Sequence, residues 1–244
     1  MIRYIDNNQD QTILFLHGLA CDASYFDRLM IEFKGMYNFI LPELLGHYDK
    51  SLKVFSLDDD VEKIVNYCAI KKINYNIIIA HSMSSILAFK LNKKEGPMKS
   101  IFLLEGNIIN EDFLWSSQIQ DMSYEVFLKY WSQFVKQYPL LLKMKLKVKL
   151  DLSKYVKGIM HFDPSGIYQY SQLISSYQDK MDFFKDLYSN TVYLESKNSK
   201  LAKKKEFFAT ENRMKIRLIE NSSHYMMLDA CIQISEIVKE EACL

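Results

Sequence analysis

The residues best placed to do chemistry in this chain lie in the run Ile77, Ile78, Ile79, Ala80, His81, Ser82, Met83, Ser84, Ser85. Three isoleucines and an alanine lead into the His81-Ser82 pair, and small residues (Ala80 and Ser84) stand two positions either side of Ser82. Ile86, Leu87, Phe89 and Leu91 then follow at helical spacing. A strand that ends in a serine and turns sharply into a helix holds that hydroxyl exposed and strained, ready to attack a carbonyl carbon. The usual form of such an elbow is G-x-S-x-G, because neighbouring backbones pass close to the flanking positions. Here Ala80 and Ser84, the next smallest choices, replace both glycines. The competing reading is a plain helix N-cap, the commonest role of a serine between strand and helix.

A nucleophilic serine needs a base that titrates near neutrality, and the chain has five histidines: His17, His47, His81, His161 and His224. A lone histidine is ordinarily structural. His224 stands apart because it follows the last strand-like run, in Asn221-Ser222-Ser223-His224-Tyr225, beside an apolar Met226-Met227-Leu228 segment able to pack its loop.

These residues must be held by an alternation of strands and helices. Short apolar runs at 12–16, 37–41, 76–80, 99–104, 191–195 and 214–219 predict strands. Helical patterns occupy 23–33, 57–72, 84–94 and 230–241, with Asp58, Asp59 and Asp60 at the favourable start of the second. Ile- and Leu-rich strands alternating with helices predict an α/β fold, a mostly parallel sheet covered by helices on both faces. Residues 107–188 break the rhythm with mostly helical patterns rich in aromatics, among them Trp115, Tyr130, Trp131, Phe134 and Tyr138. We therefore expect a core made of 1–106 and 189–244, with 107–188 inserted as a helical cap over the strand ends, where ligands of such sheets bind.

With 244 residues, 49% of them hydrophobic, the chain can bury a sizeable core, and its net charge of +1 gives no reason to expect a nucleic-acid partner. The four cysteines (Cys21, Cys68, Cys231, Cys243) share no metal-ligand or redox spacing and read as reduced packing residues. There is no G-x-G-x-x-G, no phosphate-binding lysine loop and no metal-ligand cluster, so neither cofactor nor metal is expected. No apolar run reaches the ~18 residues of a membrane span, and the first residues, MIRYIDNNQDQ, lack a long apolar stretch, which points to the cytoplasm.

Four places carry a resemblance. His17-Gly18-Leu19 follows the first strong strand. The run Pro42-Glu43-Leu44-Leu45-Gly46-His47-Tyr48-Asp49-Lys50-Ser51 follows the second, Ser82 the third and His224 the last. In that order the chain resembles the α/β-hydrolase fold family, over nearly its whole length and more loosely in 107–188. Tyr48 replaces one glycine of the family's second loop. The resemblance implies that Ser82 is the nucleophile and His224 its base, and that the backbone N–H groups of Leu19 and Met83 form the oxyanion hole.

The acid has two candidates. Most family members carry an Asp just beyond the strand after the cap, but that region reads Thr191-Val192-Tyr193-Leu194-Glu195-Ser196-Lys197-Asn198-Ser199, with no Asp and with Asn198 near the usual position. An amide cannot stabilise an imidazolium as a carboxylate does. Some branches place the acid after the strand that follows the nucleophile helix, where Leu103-Leu104-Glu105-Gly106-Asn107 offers Glu105. Glu105 is the preferred acid and Glu195 the alternative.

A serine rather than an aspartate at the elbow favours acyl chemistry. The expected activity is hydrolysis of a carboxylic ester or thioester with a mostly apolar acyl group. Three other readings stay open: an esterase or thioesterase acting on acyl-carrier-protein-linked substrates, a catalytically impaired binding protein on the same fold, and a carbon–carbon bond hydrolase. The first draws on Lys143, Lys145, Lys147, Lys149, Lys154 and Lys157, opposed only by Asp151, which could dock an acidic acyl carrier or could simply be a solvated face.

Overall fold

Short apolar runs, buried at every position, form the middle of the molecule. The computed structural model describes residues 1–48, 56–180 and 190–242. Asp49, Lys50 and Ser51 of the second loop motif, residues 181–188 of the expected cap, and Cys243 lie outside the described residues. The strands are β1 (Ile2–Ile5), β2 (Thr12–Leu16), β3 (Asn38–Pro42), β4 (Ile77–His81), β5 (Ser100–Leu104), β6 (Thr191–Ser196) and β7 (Lys215–Ile219). The helices are α1 (Asp27–Glu32), α2 (Leu57–Lys71), α3 (Ser84–Glu95), α4 (Leu114–Gln120), α5 (Tyr124–Lys145), α6 (Ser153–His161), α7 (Pro164–Ser175), α8 (Ala202–Glu211), α9 (Met226–Asp229) and α10 (Cys231–Ala242).

Among the described residues the strands form one sheet in the order β1-β3-β2-β4-β5-β6-β7, with β1 antiparallel to β3 and every other pair parallel. Alternate residues of each strand feed two different layers. Ile13, Phe15, Ile77, Ile79, Phe102, Leu104, Val192 and Leu194 pack with Phe26, Leu29, Ile234 and Val238 on the α1 and α10 side. Leu14, Leu16, Ile78, Ala80, Ile101, Leu103 and Tyr193 pack with Ile64, Cys68, Ile86, Phe89 and Ala209 on the side of α2, α3 and α8. Burial on both faces is why these strands read as continuous apolar runs.

The expected helix at 23–33 opens as a 3-10 turn over Ala23–Phe26, capped by Asp22, whose carboxylate accepts from the Ser24 amide, and turns α-helical only at Asp27. Helix α2 starts with a capping box, in which the Ser56 hydroxyl accepts from the Asp58 amide and Asp59 accepts from the Ser56 amide.

Between β5 and β6 the chain folds into α4, α5, α6 and α7. Among the described residues there, Phe113, Phe127, Trp131, Tyr138, Tyr155, Phe162 and Tyr170 are buried core aromatics. The insertion is anchored to the second loop. Fully buried Asp60 accepts from the Tyr170 hydroxyl at 2.6 Å and from the Leu45 amide at 2.9 Å. The Asp163 amide donates to the His47 carbonyl at 2.8 Å, and a Cβ added to Gly166 would sit 1.9 Å from the Gly46 carbonyl oxygen, so α7 lies directly on that backbone.

Candidate active site

Parallel strands deliver their following loops to one edge of the sheet, so Leu19 after β2, Ser82 after β4, Glu105 after β5 and His224 after β7 converge there. Four residues in this set of loops hold left-handed backbone conformations that side chains other than glycine rarely adopt: Ala20 (φ 55°), Ser82 (φ 54°), Glu105 (φ 45°) and Asn221 (φ 49°).

Ser82 is pinned in that conformation by its neighbours. Its amide donates to the Leu104 carbonyl at 3.0 Å, and its carbonyl accepts from Ser85 at 3.1 Å and from Asn107 at 3.2 Å. Met83 follows as the N-cap of α3, so its amide belongs to the helix's unpaired positive end. The two small residues flanking the elbow are fully buried. Ser84 uses its extra atoms, donating its hydroxyl hydrogen bond to the carbonyl of His17. Gly18 is required: a Cβ there would lie 2.6 Å from His81 Nδ1 and 3.3 Å from the Ser82 Cβ.

His224 Nδ1 lies 2.9 Å from Glu105 Oε2, and the other oxygen of that carboxylate accepts from the Ser196 amide at 3.1 Å. An Nδ1–H donated to Glu105 leaves the Nε2 lone pair as the basic position of the ring. Burial alone would raise the Glu105 carboxyl, but the hydrogen bond and charge of His224, the Lys205 ammonium and the Ser196 amide together hold it below its ordinary value. The loop carrying His224 is tied on several sides. Asp229 accepts from the Ser223 amide at 3.2 Å, the Ser196 hydroxyl donates to the Ser222 carbonyl at 2.9 Å, and His81 Nε2–H donates to the His224 carbonyl at 2.8 Å.

That last contact gives His81 a part that the elbow motif alone did not indicate: it bridges the serine turn to the histidine loop. Burial, followed by the charge of His224, pushes His81 well below its usual range, so it stays neutral.

Leu19, Ser82, Met83 and His224 line one cavity of about 600 Å³. Its far wall comes from the insertion, with Trp115, Phe134 and Leu141 supplying apolar surface and Gln133 and Gln137 polar groups. Cys21 also lines it, while Cys68 and Cys231 are buried elsewhere in the core. Glu195 is not with His224. It points to the other side of β6, where its Oε2 lies 3.0 Å from Lys205 Nζ. Of the lysine-rich segment, Lys145 reaches the cavity rim, Lys154 pairs with Asp27 at 3.0 Å, and the remaining lysines are exposed. Among the described residues no group of three His, Cys, Asp or Glu side chains could hold a metal ion, and no helix is long and apolar enough to cross a membrane.

No protein-family model matches the chain, and no curated protein sequence matches it. Solved structures do. MenH from S. aureus superposes with a TM-score of 0.77 at 16% identity, covering 98% of both chains. A hydrolase from Oleispira antarctica gives 0.73 at 14% identity, over 99% of this chain and 94% of that one. A variant of AqdC, whose structure addresses recognition and ring-cleavage of the Pseudomonas quinolone signal, gives 0.74 at 14% identity over the same shares. The chain has the α/β-hydrolase fold.

Proposed function

We propose that the protein is a serine hydrolase that cleaves a carboxylic ester or thioester through an acyl-enzyme, with Ser82 as nucleophile, His224 as base and Glu105 as the acid that orients it. The observation that carries this reading is the Glu105–His224 bond at 2.9 Å in a loop set that also presents a strained Ser82 to the same cavity. The names of similar structures, which include hydrolases and esterases, agree with it.

The steps follow from the groups present. His224 Nε2 takes the Ser82 hydroxyl proton as Oγ bonds to the substrate carbonyl carbon, and the carbonyl oxygen becomes an anion held by the Leu19 and Met83 amides. Such donors contribute about 3–4 kcal/mol each to the transition state. Glu105, already ionised, stabilises the imidazolium. His224 then gives its proton to the leaving alkoxide or thiolate as the carbonyl–oxygen or carbonyl–sulfur bond breaks. Water, deprotonated by the same histidine, attacks the acyl-enzyme and releases the acid and free Ser82.

Residues 107–188 act in this proposal as the cap. Their apolar wall, together with Ile174, suits a mostly apolar acyl or aryl group, and about 600 Å³ is room for a small-molecule substrate. The test is reaction of the purified protein with a fluorophosphonate probe, together with hydrolysis of p-nitrophenyl esters and matching thioesters. We expect labelling and turnover that both vanish in Ser82→Ala. Binding of acyl esters with neither labelling nor turnover would instead make the protein a binder on this scaffold.

A further inference from the structure

The side of β6 away from His224 holds a buried ionic cluster that the proposed reaction has not used. Lys205, on α8 and 3% exposed, places its Nζ 2.8 Å from Asp112 Oδ1, 3.0 Å from Glu195 Oε2 and 2.8 Å from the Tyr193 hydroxyl. Asp112 is further satisfied by the amides of Ile108 at 2.9 Å and Ile109 at 3.1 Å. The Tyr193 hydroxyl donates to the carbonyl of Gly106, the residue after Glu105, at 2.8 Å. Glu195 is fully buried and its Oε1 has no hydrogen-bond partner.

Three carboxyl groups (Glu105, Asp112 and Glu195) thus share one lysine, and removing any charge from water is costly unless it is paired. Asp112 has three donors and Glu105 has the Ser196 amide and His224. Glu195 has an unsatisfied oxygen, which costs less on a neutral carboxyl than on an anion.

We propose that Lys205 is a positioning residue for the Ser82–His224–Glu105 site: its charge compensates Asp112 and Glu105, Glu195 carries the proton, and the ionised acid is thereby assigned to the strand end that faces His224. This rests on the function proposed above. The groups facing Glu105 are His224 from the loop after β7, Tyr193 and Glu195 from β6, and Lys205 from α8, while Asp112 from the turn before α4 faces Lys205 and Tyr193. His224 faces Glu105, His81 and Tyr225, and Glu195 also faces the Ser199 hydroxyl. Burial and the Glu105 charge raise Glu195, and burial raises Asp112, so the choice between them rests on their hydrogen bonds: Asp112 has three donors, whereas Glu195 Oε1 has none.

The experiment is a carbon-13 NMR pH titration of the Glu105 side-chain carboxyl in the full-length protein, which reads ionisation whether or not a substrate is known. The Lys205 charge helps hold Glu105 below its ordinary value, so Lys205→Met moves the Glu105 midpoint up. Lys205→Arg keeps the charge and leaves the midpoint in place. Glu195→Gln mimics the protonated acid and also leaves it in place. A folded Lys205→Met protein with an unmoved midpoint overturns the proposal, because Lys205 would then exert no charge effect on the Glu105–His224 pair. A downward shift in Glu195→Gln overturns it too, since it would mean Glu195 holds a charge. If Lys205→Met does not fold, Lys205→Gln replaces it, and the Glu195→Gln arm decides alone if neither folds. Wild-type protein with no hydrolase activity would sink the proposed function yet leave these midpoints readable.

Discussion

Glu105 and Glu195 end adjacent parallel strands, side by side beyond the Leu104–Leu194 pair, yet their surroundings are opposite. Glu105, 11% exposed at its side chain, faces His224, and that histidine and a backbone amide take its two oxygens. Glu195, one strand over and fully buried, faces α8, where its Oε2 meets a lysine and a phenol. A carboxylate is useful as an acid partner when what it stabilises is a transient cation. A carboxyl that keeps its proton, as proposed for Glu195, has no charge to give. The side of the strand to which each side chain is delivered therefore separates them more than their residue type does.

The sharpest way to break this contrast is to neutralise each carboxylate in turn. Glu105→Gln should lower kcat/KM about 10⁴-fold, the loss expected when an amide replaces the triad acid. Glu195→Gln should stay within about tenfold of wild type, as a change outside the reacting groups. Steady-state kinetics on one activated ester measures both, and the reverse pattern would transfer the acid role to Glu195.

A smaller effect tests whether the base is held from the acid side alone. Gly18→Ala would put a methyl 2.6 Å from His81 Nδ1, and His81 is the ring that holds the His224 carbonyl at 2.8 Å. Displacing that bridge by part of an ångström should cost about 10²-fold in kcat while Glu105 is untouched. A Gly18→Ala enzyme with wild-type kcat would show that Glu105 and the loop's own bonds position His224 without His81.

Much of this arrangement was legible in the residue order. The five apolar runs that became β2 to β6 are buried on both faces and announced themselves, and Leu103-Leu104-Glu105-Gly106-Asn107 singled out the carboxylate found on His224. Strand β1 was not legible because Ile2–Ile5 is short, lies at the sheet edge and is mostly half-exposed. Helix α8 was hidden by composition. Lys203, Lys204, Lys205 and Glu206 are four consecutive charged residues, and nothing local marks Lys205 as the buried one, since its partners Asp112, Tyr193 and Glu195 come from distant parts of the chain. Only the pairing of α8 against β6 decides which lysine turns inward.

The two carboxylates should also leave opposite marks on stability. Glu105 has a lower pKa folded than unfolded, so its contribution is complete above the ordinary carboxyl range and fades as pH falls through the depressed folded value. Glu195 has a raised pKa, so the folded protein holds a proton that the unfolded chain releases. Stability is lost as pH climbs from the unfolded value towards the folded one. Urea unfolding followed from acid to neutral pH should show Glu195→Gln gaining on wild type as pH rises. Glu105→Gln should lose to it over the same change. Parallel curves would mean that the two sites do not differ in ionisation.

The smallest effect concerns the elbow, where the departure from glycine is compensated locally. Ser84 opens α3, is fully buried and donates to the His17 carbonyl, so its side chain ties the serine turn to the loop that carries Gly18 and Leu19. Ser84→Gly restores the commoner G-x-S-x-G spacing at that position, but it frees the backbone of a first-turn residue and leaves a buried carbonyl with one donor fewer. Together these should cost about 1–2 kcal/mol of stability. The elbow itself is still held by the Leu104, Ser85 and Asn107 bonds to Ser82, so kcat should stay within about threefold. Thermal unfolding paired with kinetics separates the two quantities. A Ser84→Gly protein that is more stable than wild type would mean that the serine is a tolerated intruder. A large loss of kcat at unchanged stability would instead place the His17 carbonyl contact among the features that set the geometry of the oxyanion loop.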